Sequence, residues 1–247
     1  GAEEAGYYFL GFAILTILSA ASRLGFDRIA TRYVSGFSAS SNLSGVCGTY
    51  KFVVFWVTVT SLCISVLLYA FSAQLSHMVF QKPEMKEVLE LFSLALAPIT
   101  LTYLHGFFHQ GLKNMIAMQL CFNFGLNLVF LVAVAIGFVS HDHLALHAFL
   151  VLFVGISYLA CFVAVISWVR KEGLGLAEIT KSKFRIPKVW NIALPLWLST
   201  LLTLVANWSA VLIVGYLASS SEVAIFTNAT RTAMLIVLVL QAVNSIV

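Results

Sequence analysis

Gly1–Tyr33 reads GAEEAGYYFLGFAILTILSAASRLGFDRIATRY, an uncharged run from Tyr7 to Ser22 that leads straight into Arg23, Asp27, Arg28 and Arg32. An apolar run closed by dense positive charge is how a spanning helix ends at a cytoplasmic surface. A weaker echo of the opening, SEVAIF at Ser221–Phe226, returns late in the chain and leads to Arg231. The pair of passages predicts a membrane protein of two related halves, with arginines where a charged passenger would need them.

Composition carries the same reading across the chain. Of the 247 residues 61% are hydrophobic and only 10% charged, and the mean hydropathy is +0.98. One water-soluble core of this size cannot hide that much apolar surface, so lipid is the solvent for most of it. A span needs about 20 mostly apolar residues. Seven runs qualify: Tyr7–Ser22, Phe52–Phe71, Val88–Leu112, Met115–Val139, Leu144–Val169, Val189–Gly215 and Val223–Val247. They are too long for the alternating strands of a membrane barrel, which leaves helices. The predicted class is an all-α, polytopic integral membrane protein. The chain opens without an initiator Met and stops inside an apolar run, so the reading expects an internal segment of a longer protein and takes seven as a minimum.

Placing the connections alternately on two sides puts Arg23, Arg28, Arg32, Lys51, Lys113, Arg170, Lys171, Lys181, Lys183, Arg185 and Lys188 on one side. That is eleven of the fourteen Lys and Arg, against Lys82 and Lys86 on the other and Arg231 within the last run. By the positive-inside rule the eleven-residue side is cytoplasmic. The basic connection 170–188 then lies along the anionic inner leaflet between two helix bundles. Its lysines alternate with Ile, Phe and Leu beside a spanning run, which disfavours nucleic acid as a partner.

Polar groups inside the runs are the candidates for function, because ionisable residues in a membrane normally face a bundle interior or a wet cavity. Arg231 is the clearest, nine residues or about 13 Å beyond Glu222, with Asn228 three residues earlier on the same face. In the fourth run Gln119, Asn123 and Asn127 follow at intervals of four; they either join helices or line a cavity that hydrogen-bonds sugar hydroxyls. Thr102, His105 and His109 share a face of the third run, with a helix-contact role or a proton-relay role open to the histidines. Arg23 and Asp27 are spaced for an ion pair, whereas Arg28 and Arg32 concentrate positive charge at the inner mouth.

Signals for catalysis and metals are poor. The sequence holds no nucleophile–base arrangement on suitable loops, no phosphate-cradling glycine loop and no HExxH. His141, Asp142, His143 and His147 are ligand types, yet a short outward turn enforces no metal geometry. The four cysteines have no CxxC spacing, so neither disulfides nor zinc follow. The reading expects no cofactor and no enzyme.

The stretches GAEEAGYYFLGF with SRLGFDRIATRYVS, and WNIALPLWLST with LIVGYLASSSEVAIFTNATR, resemble the polysaccharide flippases of the multidrug, oligosaccharidyl-lipid and polysaccharide exporter superfamily. The resemblance implies a two-lobe transporter of twelve or more helices around a central cavity. On that mapping, residues 1–169 hold the second to sixth family helices, 170–188 form the linker between lobes, and 189–247 begin the second lobe. Glu4 and Glu222 open equivalent helices. A shift of 218 residues (222 − 4) sets Arg231 against Ala13, not Arg23, so the charges break the symmetry. The implied cavity holds the pyrophosphate and sugars of a lipid-linked oligosaccharide while its polyprenyl tail stays among membrane lipids. Matching positions are Arg23 and Arg231, with Asn123, Asn127 and Asn207 as weaker candidates; an acidic residue expected near Asn207 is missing.

The expected activity is therefore flipping of a polyprenyl-pyrophosphate-linked oligosaccharide across the bacterial inner membrane for surface polysaccharide such as O-antigen, with other polysaccharide-assembly proteins as admissible partners. Arg23, Arg28 and Arg32 attract the head group and Arg231 holds it midway. A multidrug or cation antiporter of the same superfamily should instead carry cavity acids, a membrane glycosyltransferase or polymerase should carry a large outward loop, and a seven-helix receptor fits an internal segment poorly.

Overall fold

The computed structural model describes residues 1–124, 127, 131, 135, 137, 146–172 and 189–244. Every regular element among the described residues is helical. They are α1 (Ala2–Ser22), α2 (Phe26–Ala39), α3 (Leu43–Gln74, continued by a π-helical turn Leu75–Val79), α4 (Met85–Gly111), α5 (Met115–Gln119, continued by a π turn Leu120–Phe124), α6 (Leu146–Glu172), α7 (Val189–Leu217) and α8 (Ser220–Asn244). Five of the helices are long and apolar enough to cross a membrane, and the chain is an all-α membrane protein. Most of the fourth run beyond Phe124, the turn with His141, Asp142 and His143, and the linker beyond Glu172 lie outside the described residues.

The first four connections are tight because each turns on a left-handed residue. Leu24 (φ 49°) and Gly25 (φ 75°) end α1, Ser41 (φ 53°) ends α2, Gln81 (φ 54°) precedes α4 and Lys113 (φ 57°) ends α4. Such residues satisfy the last carbonyls of a helix while reversing the chain. The side chain of Asn42 then caps α3 by accepting from the Gly45 amide at 2.9 Å.

The expected connection after the first run is itself largely helical. The stretch from Arg23 to Lys51 is not a loop: it holds α2 and the first turns of α3, which begins at Leu43 rather than Phe52. Phe26, Ile29, Ala30 and Val34 recur at helical spacing and are buried, while Arg28, Arg32 and Gly36 face outward. This helix is too short and too charged to span, so a search for apolar runs passes over it. With its π turn α3 covers 37 residues, about 55 Å, and so overshoots a hydrocarbon core of about 30 Å.

α4 is the hub. It packs against α1, α2, α3, α5 and α6, and buries five of its polar side chains, Ser93, Thr100, Thr102, His105 and His109. By contrast Leu62, Val66, Leu67, Tyr69 and Phe71 of α3 and Leu159, Phe162 and Val163 of α6 are exposed, the expected face toward lipid. Since lipid tails are as apolar as these side chains, close fit and polar contacts hold the bundle, not the hydrophobic effect.

α1 is the seam between the first six helices and the last two, packing on α4 on one side and on α7 and α8 on the other. Its directions relative to them are fixed by contacts. Near its start Gly6 lies against the Ser220 backbone at the start of α8; a Cβ on Gly6 would fall 1.7 Å from the Ser220 carbonyl oxygen. Near its end the Trp197 indole N–H, early in α7, donates to the Ala21 carbonyl at 3.0 Å. α1 is therefore parallel to α8 and antiparallel to α7, and the ends alternate as the charge bias requires. One end carries Glu3, Lys82, Glu84 and Glu222; the other carries Arg23, Arg28, Arg32 and Lys113.

Candidate functional site

The charged residues expected to act together are placed in three different environments. Arg23 lies where α1 ends, and only 7% of it is exposed. Its Nη1 donates to Ser19 Oγ at 2.9 Å, and its Nε is 3.5 Å from Asp27 Oδ2. The guanidinium lies 5.6 Å from the Tyr103 ring and 5.9 Å from that of Phe107. Asp27 is 3% exposed, and its other oxygen accepts from the Arg28 amide at 2.8 Å, in the first turn of α2 where a carboxylate is favoured by the helix dipole. Ser19 Oγ stands 3.1 Å from Thr100 Oγ1, whose proton goes to the Leu96 carbonyl at 2.7 Å.

The same joint ties down the end of α1. Thr60 Oγ1 of α3 donates to the Ser22 carbonyl at 2.6 Å and Trp197 of α7 donates to that of Ala21, so carbonyls at the helix end are met from two neighbouring helices. Gly25 adds a backbone contact, since a Cβ there would fall 2.3 Å from the Ala193 oxygen of α7. Arg23 is thus enclosed by its own counter-ion, two rings and a hydroxyl, and sits in packing between α1, α2 and α4.

Arg28 and Arg32 occupy the outward face of α2 and are exposed. One helical turn apart, they form a positive strip beside the buried Asp27 without sharing its enclosure.

Arg231 is built differently from both. It stands eleven residues beyond Ser220, about 16 Å along α8, while Phe9 is three residues beyond Gly6, about 4.5 Å along α1. The side chain reaches back toward the start of α8, as helical side chains do, and sets its guanidinium 4.7 Å from the Phe9 ring centroid. Arg231 is nonetheless exposed. An exposed guanidinium over a ring keeps N–H donors open to solvent, and its planar fork matches phosphate oxygens.

An aromatic wall continues from that ring. Tyr8 lies 5.6 Å from Phe9, 5.8 Å from Phe12 and 5.4 Å from Phe149 of α6. Phe12 in turn meets Trp208 of α7 at 6.0 Å and Phe153 of α6 at 6.5 Å. Asn228, on the turn before Arg231, and Asn207, beside Trp208, are both exposed. Asn127 is helical and exposed, and Asn123 sits in the π turn Leu120–Phe124, which alters the angular step on which an even stripe with Gln119 depends. The wall was missed in the sequence, although Tyr8 and Phe12 at i, i+4 are a signal for it.

The buried histidines belong to the interior of the first six helices. A carbonyl only accepts, so His105 Nδ1–H donates to the Leu101 oxygen at 2.7 Å, and Nε2 accepts from the Tyr50 hydroxyl at 3.1 Å. This satisfies a neutral imidazole at both nitrogens. His109 lies 3.5 Å from the Ser167 hydroxyl and packs on Trp168. Among the described residues no group of His, Cys, Asp or Glu is arranged to hold a metal ion, and no disulfide joins the four cysteines.

The only acid buried among the described residues is Asp27, and Arg23 neutralises it. Arg28, Arg32, Arg231, Asn207 and Asn228 are exposed. No curated protein and no solved structure matches this sequence. A family model described as polysaccharide biosynthesis protein matches residues 1–247, the whole sequence given. A bundle with five helices long and apolar enough to cross a membrane accords with that match, and the chain belongs to the polysaccharide biosynthesis protein family.

Proposed function

We infer that the protein moves a polyprenyl-pyrophosphate-linked oligosaccharide across the bacterial inner membrane by alternating access between two lobes, without chemical change to the passenger. The observation that carries this reading is Arg231: a cation well inside α8, exposed, and seated on Phe9 at 4.7 Å. An arginine at such depth is costly unless it faces a wet path, and a diphosphate is the anion its fork suits. The aromatic wall of Tyr8, Phe12 and Trp208 supplies ring faces for sugars, and Asn207 and Asn228 supply amide donors and acceptors. Arg28 and Arg32 gather the anionic head group at the basic end before it enters. On this reading residues 1–169 are one lobe, 189–247 begin the other, and α1 and α8 are the equivalent helices on which they meet. Glu4 and Glu222 each stand third in their helix.

A cation or drug antiporter is disfavoured because the buried acid is already paired with Arg23. The experiment is transfer of a fluorescent lipid-linked oligosaccharide across proteoliposomes. Transfer should occur with the native protein and fall about tenfold or more in Arg231→Ala, the loss expected when a charge-assisted contact is removed. No transfer by the well-folded native protein, or full-rate transfer by Arg231→Ala, would overturn the assignment.

A further inference from the structure

Lys82 is one of only two Lys or Arg residues at the acidic end, and the transport reading gives it no task. It sits in the short connection between α3 and α4, half-buried. Its Nζ donates to the carbonyl of Gly215 and, at 2.8 Å, to that of Ala218. The acceptors are in the last turn of α7 and one residue beyond it, more than 130 residues away, where unpaired carbonyls and the helix dipole attract a cation.

The surrounding groups close the same seam. Ser219 and Glu222 form a capping box: Glu222 Oε2 accepts from the Ser219 amide at 2.7 Å and its hydroxyl at 2.8 Å, and the Glu222 amide lies 3.3 Å from Ser219 Oγ. That box fixes the turn which offers Lys82 its carbonyls. Within the first lobe the Tyr7 hydroxyl lies 3.1 Å from Glu3 and 3.3 Å from Glu84, joining α1 to the residues beside Lys82. Gly6 lets α1 meet the Ser220 backbone with no room for a side chain. Burial pushes the Lys82 pKa down, with Glu222 opposing it.

We propose that Lys82 is the latch of the outward gate: its ammonium holds the first lobe to the carboxyl end of α7 and must leave those carbonyls before the path opens at the acidic end. The proposal rests on the two-lobe transport reading. It differs from ordinary helix capping in spanning the two parts of the molecule that must separate. At this seam the contacts are one flexible side chain, a turn and the close backbone approach of Gly6 to Ser220, whereas at the basic end α7 is held to α1, α2 and α3 by Trp197, Gly25 and Trp190.

The test is the accessibility of Thr227→Cys, a buried position on α8 below the latch, with the four native cysteines changed to alanine. A membrane-impermeant maleimide is added to the face bearing Lys82 in right-side-out vesicles. Lys82→Met should raise the labelling rate about tenfold, the effect of losing a charge-assisted hydrogen bond, and Lys82→Arg should restore slow labelling. Gly6→Ala should raise it independently, by wedging α1 from the turn. If Lys82→Met does not reach the membrane, Lys82→Gln is read in its place. Unchanged labelling in the Lys82 variant overturns the latch, including the case in which only Gly6→Ala responds. Faster labelling without transfer of the lipid-linked sugar by the native protein leaves the latch standing and removes the transport reading.

Discussion

Arg23 and Arg231 sit in the same family of helices and were candidates for the same work, yet their surroundings differ in every respect that matters to a passenger. Arg23 is 7% exposed, 3.5 Å from Asp27 and bonded to Ser19. Arg231 is exposed and rests on one ring face. The first charge is already neutralised within the protein, and its removal strands a carboxylate. The second keeps its fork available, and its removal strands nothing. An arginine in a membrane protein is therefore not a binding group by virtue of its depth; what decides is whether the chain has supplied the counter-ion.

This contrast can be broken most severely at Arg23. Arg23→Met leaves Asp27 buried without a partner and should cost about 3–5 kcal/mol of stability, read as thermal unfolding in detergent. Adding Asp27→Asn should recover a large part of that loss, and a single variant as stable as the native protein would show the joint to be dispensable. Gly25→Ala comes next: the left-handed backbone alone should cost about 1–2 kcal/mol, and the Cβ would also press on Ala193. Trp197→Phe keeps a ring but deletes the donor to Ala21, for a loss of about 1 kcal/mol. Smallest is the stability effect of Arg231→Ala, about 0.5–1 kcal/mol for an exposed cation–π contact. A loss as large as that of Arg23→Met would erase the distinction between the two arginines.

The sequence made the long helices legible because an apolar run of spanning length has one structural solution in lipid. Val88–Leu112 and Val189–Gly215 differ from α4 and α7 by only a few residues at each end. α2 was not legible by that route: its buried apolar stripe is four residues within fourteen, and its Arg28 and Arg32 read equally well as loop anchors. The Arg23–Asp27 pair was legible from its i, i+4 spacing, but its enclosure was not, since Tyr103 and Phe107 come from α4, some eighty residues away. Arg231 was marked by its depth, whereas Phe9 beneath it required the crossing of α1 and α8. Lys82 left no signal, because its acceptors are main-chain carbonyls, which every residue carries.

If the accessible cation, not the enclosed one, receives the pyrophosphate, its loss alone should weaken binding. The measurement that tests it most directly is the affinity of the purified protein for a short-chain prenyl-pyrophosphate-linked sugar, followed by tryptophan fluorescence in the native protein, Arg231→Ala and the Arg23→Met, Asp27→Asn pair. The account predicts that Arg231→Ala weakens binding about tenfold or more, as loss of a charge-assisted phosphate contact should, while the folded double variant at the Arg23 joint binds within about twofold of native. Unchanged affinity in Arg231→Ala, with the loss falling on the Arg23 joint, would contradict it.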